Sequence, residues 1–153
     1  MATRKVITVD QDEEFLRKTS KPVEKFDESL HLLLADMWDT LKKYNGAGLS
    51  AVQIGVLKRV FITATDGKKE YINPTILETS KRQKKCTEGC LSVPKKYDKV
   101  MRPVWVTVRA QDRNGNFFTE TVKGYSAQAV CHESDHLDGK LYIDIALGEG
   151  VDK

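Results

Sequence analysis

From position 27 to 43 the apolar residues Leu30, Leu33, Leu34, Met37, Trp38 and Leu41 recur at spacings of three and four. That period predicts an amphipathic helix with one face turned to a core. Ahead of it, 11–18 suits a short helical turn, and Lys21-Pro22-Val23 reads as extended chain because proline biases its predecessor away from helix. After Asn45-Gly46-Ala47-Gly48 ends the long helix, the pattern changes to β-rich runs. Positions 60–65 stop at Asp66-Gly67, a hairpin-type turn. Positions 71–78 continue as strand, with Pro74 marking an edge or a bend. Val104 to Ala110 alternates as a strand should, and 112–116 turns the chain into a further strand at 117–122.

Ser126 then offers an N-cap and Gly139 a left-handed C-terminal stop, which predicts a helix over 127–138. A short apolar strand at 140–145 and a polar tail close the chain. The expected fold is α+β: antiparallel or mixed β-sheets packed around this central helix, with the amphipathic helix near the N-terminus, in one domain over 1–153.

The central helix carries Cys131-His132-Glu133-Ser134-Asp135-His136-Leu137-Asp138-Gly139. Residues i and i+4 share a helix face, so His132 and His136 can hold one metal ion between them. Glu133 follows the first ligand, where a carboxylate can take a proton from water beside the metal. Two of the chain's 3 histidines fall at this spacing. Tyr125, Ala129, His132 and His136 also form one stripe along the helix, so Tyr125 and Ala129 are expected to flank the metal and shape a side-chain pocket.

Composition narrows the setting only a little. With 40% hydrophobic and 31% charged residues, 153 residues suffice for a real core. No apolar run approaches the roughly 18 residues that a membrane span needs, and the first ten residues lack a secretory core. A cytoplasmic location, a monomer and no membrane partner are the default expectations. A net charge of +3 argues for no particular partner. The basic stretch 81–85 and Lys95-Lys96 read as solvated loop, without the aromatic interleaving of a nucleic-acid site. Three cysteines, at 86, 90 and 131, do not make a disulfide framework.

Two histidines leave a catalytic metal one protein ligand short. Cys90, in Glu88-Gly89-Cys90-Leu91-Ser92, is the better third candidate, because Gly89 lets backbone approach a ligand. Cys86 is its rival, but two thiolates and two imidazoles would fill the tetrahedron and leave Glu133 nothing to activate. Gly46-Ala47-Gly48-Leu49-Ser50-Ala51-Val52-Gln53 does not follow a strand, so a dinucleotide fingerprint is not indicated.

Taken together, the three segments resemble the peptide deformylase family, whose motifs are Gly-x-Gly-Leu-Ala-Ala-x-Gln, Glu-Gly-Cys-Leu-Ser and Gln-His-Glu-x-Asp-His-Leu-x-Gly. The resemblance extends to Arg17-Lys18 with Lys21-Pro22-Val23, Ile72-Asn73-Pro74 and Arg102, and so spans nearly the whole chain. It implies Cys90, His132 and His136 as metal ligands with water in the fourth place, and Glu133 as general base and then acid. It further implies oxyanion donors in the Gln53 amide and the Leu91 backbone N–H. Glu88 and Arg102 are implied as a buried acid–base pair behind the site, with Asp135 nearby. The metal is expected to be Fe2+, with Zn2+, Ni2+ or Co2+ as substitutes. The reaction implied is hydrolysis of the formyl group from N-formyl-methionyl nascent peptides, bound extended between Gly46–Gly48 and Gly89.

Two motif positions depart from the family: Ser50 stands for alanine, a small-for-small change, and Cys131 for glutamine. Cys131 points about 100° away from His132 and is expected to be a packed thiol. The long C-terminal helix with which many bacterial members contact the ribosome has no counterpart here, so any ribosome proximity is expected by another route. Such a short form suits bacterial cytoplasm, a virus-infected bacterium or an organelle. A zinc endopeptidase would share His-Glu-x-x-His but leave Glu88–Ser92 unexplained. A silent binding module would not need Glu133, Gln53 and Cys90 together, and an RNA adaptor would rest on charge alone.

Overall fold

The computed structural model describes residues 2–151. The order of elements is α1 (Val9–Leu16), α2 (Glu28–Tyr44), β1 (Gly48–Ser50), a 3-10 turn (Ala51–Ile54), β2 (Val60–Thr63), β3 (Lys69–Thr79), β4 (Gln83–Cys90), β5 (Val93–Pro103), β6 (Trp105–Gln111), β7 (Phe117–Lys123), α3 (Tyr125–Leu137) and a second 3-10 turn (Tyr142–Asp144). Five strands form one sheet in the order β1-β2-β3-β6-β7, and β4 and β5 form a separate ribbon. Every strand pair in both is antiparallel. The α+β expectation is met, with three α-helices among the described residues.

The long helix forms where its periodicity places it. Asp27 caps it by accepting from the Leu30 N–H, and Asn45 ends it in the left-handed region at φ 52°. Leu30, Leu33, Leu34, Met37 and Leu41 are buried against Leu49, Ile54, Val60, Ile62 and Ile72. Each such side chain contributes about 1.5–3 kcal/mol through removal from water. The polar side of α2 is tied down too. Trp38 donates to Glu70 at 2.7 Å, and Arg113 grips the same carboxylate with two bonds of 3.0 and 2.7 Å.

α3 lies between the sheet and the ribbon, with Ala127, Val130, Cys131 and Leu137 in the core formed with Phe61, Tyr71, Val106 and Val108. Its C-terminal carbonyls are satisfied from outside. Leu137 O accepts from Ser20 N–H at 2.8 Å and from the Arg59 guanidinium at 3.1 Å, and Arg59 also pairs with Asp138 at 3.1 Å. A cation at this end complements the helix dipole. Gly139 has φ 73°, and a Cβ there would come within 2.1 Å of the Arg17 carbonyl, so no side chain fits.

Several local expectations are corrected. α3 begins at Tyr125 after Gly124, so Ser126 is inside the helix; its hydroxyl bonds Thr65 at 2.8 Å instead of capping. Positions 140–145 hold a 3-10 turn rather than a strand. This short apolar run is buried at Leu141 and Tyr142, while Ile143 and Ile145 stay partly exposed, and its backbone N–H groups at Asp144 and Ile145 bond back to Leu141 and Tyr142 instead of to a strand. The basic stretch 81–85 is not all loop, since Gln83, Lys84 and Lys85 open β4 opposite Pro103, Arg102 and Met101. Lys84 and Lys85 are both exposed there, on opposite faces of the strand. The Gly46–Gln53 segment contains an edge strand and a 3-10 turn, and Glu88–Cys90 is the end of β4. Pro74 lies inside β3, an interior strand, where a register shift between Ile72 and Thr75 accommodates it.

Candidate metal centre and active site

Three side chains from two elements converge on one point. Cys90 arrives at the end of β4, and His132 and His136 arrive one turn apart on α3. Their ligand atoms all lie within 4.8 Å of one another. Cys86 stays outside this group and Cys131 is buried in the core, as its place on the helix predicts. Burial also pushes the Cys131 thiol up to about 11, which suits an inert packed sulfur.

Cys90 behaves differently. Burial alone would favour its neutral thiol, but the charge of His136 and hydrogen bonds from both imidazoles outweigh it and hold the group well below a free thiol. Its Sγ lies 3.3 Å from His136 Nε2. Tetrahedral ligation with ordinary zinc bond lengths sets sulfur and nitrogen about 3.6 Å apart. A thiolate and two imidazoles at this separation fit a divalent transition ion, and an ion there would supply the positive charge that the thiolate calls for.

The histidines are held from behind. His132 Nδ1 lies 2.8 Å from Glu88 Oε1, which turns the other ring nitrogen toward Cys90. Glu88 is 4% exposed and takes two bonds from Arg102, of 2.8 and 2.9 Å. Arg102 also bonds Asp135 on α3 at 2.9 Å. Burial opposes the charge on Glu88, but Arg102 and His132 outweigh it and hold the carboxyl at about 2. The ring of Tyr142 stacks on His132 with centroids 6.1 Å apart, and its hydroxyl donates to the Lys96 carbonyl at 3.0 Å. Nothing in the sequence singles out Tyr142, because it reaches His132 from a segment that carries no motif.

Glu133 points into the same site and is 4% exposed. Burial pushes its carboxyl up against the pull of the two imidazoles, a setting in which a carboxylate can both take and return a proton. Gly48 lies directly against it: a Cβ at 48 would come within 2.9 Å of Glu133 Cγ and Oε2. Gln53, 2% exposed, accepts from the Ser50 N–H through Oε1 at 3.0 Å. That bond turns its NH2 toward Ser92 Oγ at 3.0 Å and Cys90 Sγ at 3.6 Å.

A cleft of about 800 Å3 opens over this floor. Gly46, Ala47, Gly48 and Gln53 line one side, and Gly89, Cys90 and Leu91 the other. Tyr125 and Ala129 line it from α3, as the helical stripe predicts, with Tyr125 60% exposed at the rim. Gly89 has a further reason to lack a side chain: its Cβ would collide with the ring of Tyr97. Lys5, Tyr44 and Lys95 also reach the cleft and carry no signal in the sequence that could have found them.

Comparisons with known proteins agree with this geometry. The family model for polypeptide deformylase matches residues 4–149. A peptide deformylase of Caldicellulosiruptor bescii is 52% identical over 145 residues, covering 94% of this chain and 86% of the relative. One from Finegoldia magna is 44% identical over 142 residues, with coverages of 90% and 86%. Among solved structures, peptide deformylase from Thermotoga maritima superposes with a TM-score of 0.91 at 36% identity, covering 95% of this chain and 99% of that one. The Legionella pneumophila enzyme gives 0.90 at 42% identity, covering 96% and 88%. Sequence and fold agree along almost the whole chain, and on that ground it belongs to the polypeptide deformylase family.

Proposed function

We propose that the protein hydrolyses the formyl group from the N-terminal formyl-methionine of newly made peptides, releasing formate and a free amine. The observation that carries this reading is the meeting of Cys90, His132 and His136 at the floor of an open cleft, with Glu133 beside them. Cys90, His132 and His136 would hold one divalent ion, Fe2+ in the cell or Zn2+, Ni2+ or Co2+ in its place. When bound, such an ion supplies Lewis acidity, which lowers the pKa of water and polarises a carbonyl oxygen.

The chain's own groups do the rest. Glu133 takes a proton from the attacking water and returns it to the amide nitrogen as the C–N bond breaks, so that the amine leaves neutral. The Gln53 NH2 and the Leu91 N–H donate to the carbonyl oxygen as it gains charge, each worth about 3–4 kcal/mol where such donors have been removed. Among the described strands β1 lies at the sheet edge and pairs with β2 alone, so an extended peptide can lie along its other side. Tyr125 and Ala129 shape the wall for the methionine side chain. No described helix is long and apolar enough to cross a membrane.

The test is formate release from a short formyl-Met peptide, run anaerobically with Fe2+ or Ni2+. An acetyl-Met peptide and a blocked internal peptide serve as controls. Formate from the first substrate alone is the expected result. Cleavage of the internal peptide would make the protein an endopeptidase, and no formate with metal shown to be bound would make it a binding module.

A further inference from the structure

β1 sits against α3 through two residues on one face. Residues i and i+2 of a strand point the same way, so Gly48 and Ser50 both turn toward Glu133. Gly48 makes room for the carboxylate, since any Cβ there would meet Oε2 at 2.9 Å. Ser50 fills the neighbouring space with a hydroxyl. Its Oγ lies 2.9 Å from Glu133 Oε1 and 2.9 Å from the Glu133 carbonyl oxygen, and the residue is fully buried. A hydroxyl has one proton to give, and the charged acceptor makes the stronger bond. Through its backbone N–H the same residue holds the Oε1 of Gln53 at 3.0 Å. The motif's usual alanine would keep the second contact, which is backbone, and lack the first.

We propose that Ser50 is a positioning residue for the deformylation reaction. Its hydroxyl fixes the rotamer of the Glu133 carboxylate, while its N–H fixes the face of the Gln53 amide. One residue thereby sets the spacing between the group that moves the proton and the group that steadies the oxyanion. Among the described residues no other group hydrogen-bonds the Glu133 carboxylate, so without the hydroxyl its terminal torsion is held by packing alone. Misplacement by about 1 Å at such a group is costly to rate while leaving binding alone. This inference rests on the assignment of Glu133 under the proposed function.

Ser50→Ala removes the hydroxyl arm and keeps the N–H arm, in a position where alanine adds no bulk. With formyl-Met peptide as substrate, kcat should fall about five- to twentyfold. KM and the metal-to-protein ratio should stay at wild-type values, while the thermal midpoint falls by about 2–8 °C through loss of the buried bond. Ser50→Gly should show the same split. In a Glu133→Asp background, where the shorter carboxylate is out of the hydroxyl's reach, Ser50→Ala should cost nothing further. A kcat within twofold of wild type in Ser50→Ala overturns the proposal, as does a matching loss of metal or rise in KM, which would make the residue merely structural. Failure of the wild type to release formate would instead strike the underlying functional reading, and is visible in the same assay.

Discussion

At Glu133 the backbone of β1 and the side chains of α3 meet at van der Waals distance, and small changes there have large expected effects. Replacing Glu133 by Ala leaves Cys90, His132 and His136 in place. Metal content should therefore be unchanged while formate release falls by about 10²–10⁴, the usual worth of a general acid–base group. Near-normal turnover would remove the proton-transfer role. Gly48→Ala tests the same carboxylate from the other side. Its methyl group would need the space of Glu133 Cγ and would also lie 3.0 Å from the Ile62 carbonyl, so neither neighbour can yield cheaply. We expect kcat to fall at least about tenfold with metal retained, measured by formate release and metal analysis. The residue types at these positions are readable from the motifs alone. What they touch is not, because Ser50 and Glu133 are 83 positions apart.

Among the elements, α2 is the most legible and the 3-10 turn at Tyr142–Asp144 the least. α2 follows from a period that its own residues carry, and Leu34 on its inner face has no exposure at all. Leu34→Ala should cost about 2–5 kcal/mol of stability by denaturant unfolding, with the metal site intact. The C-terminal turn carries four apolar residues in a row of six, which resembles a strand until its surroundings are known. Tyr142 is spent on packing against His132 and on the Lys96 carbonyl. Tyr142→Ala should therefore weaken metal retention during dialysis against chelator, whereas Tyr142→Phe, which keeps the ring, should not. Equal retention by both variants and wild type would leave Tyr142 without a part in holding His132.

For the molecule as a whole, the Glu88–Arg102 pair joins the ribbon to α3. Glu88 stands on β4, Arg102 on β5, and Asp135 and His132 on the helix. Breaking a buried pair by removing one partner costs about 3–5 kcal/mol, since the other charge is stranded. The pair also sets an acid limit. Glu88 ordinarily titrates near 4.5 and is held at about 2 in the fold, so its contribution is complete above the unfolded value. It is lost as pH falls from 4.5 toward 2. Thermal midpoints of the metal-free protein should drop across that interval, and Glu88→Gln should start lower and show a shallower drop. Parallel curves for the two proteins would remove Glu88 from the acid transition.

The sequence by itself determined the long helix, the helix bearing His132 and His136, most strands and the candidate ligands. These depend on periodicity and on motif spacing, which are local properties of the chain. Only the tertiary structure decided that β4 and β5 stand apart as a ribbon, that 140–145 holds a 3-10 turn and that α3 starts at Tyr125. It also decided that Ser50, Ser92, Tyr97 and Tyr142 reach the site. Each of those outcomes depends on which surface a segment meets after the chain has closed. A buried hydroxyl or ring is placed by partners tens of residues away, and no periodicity records them.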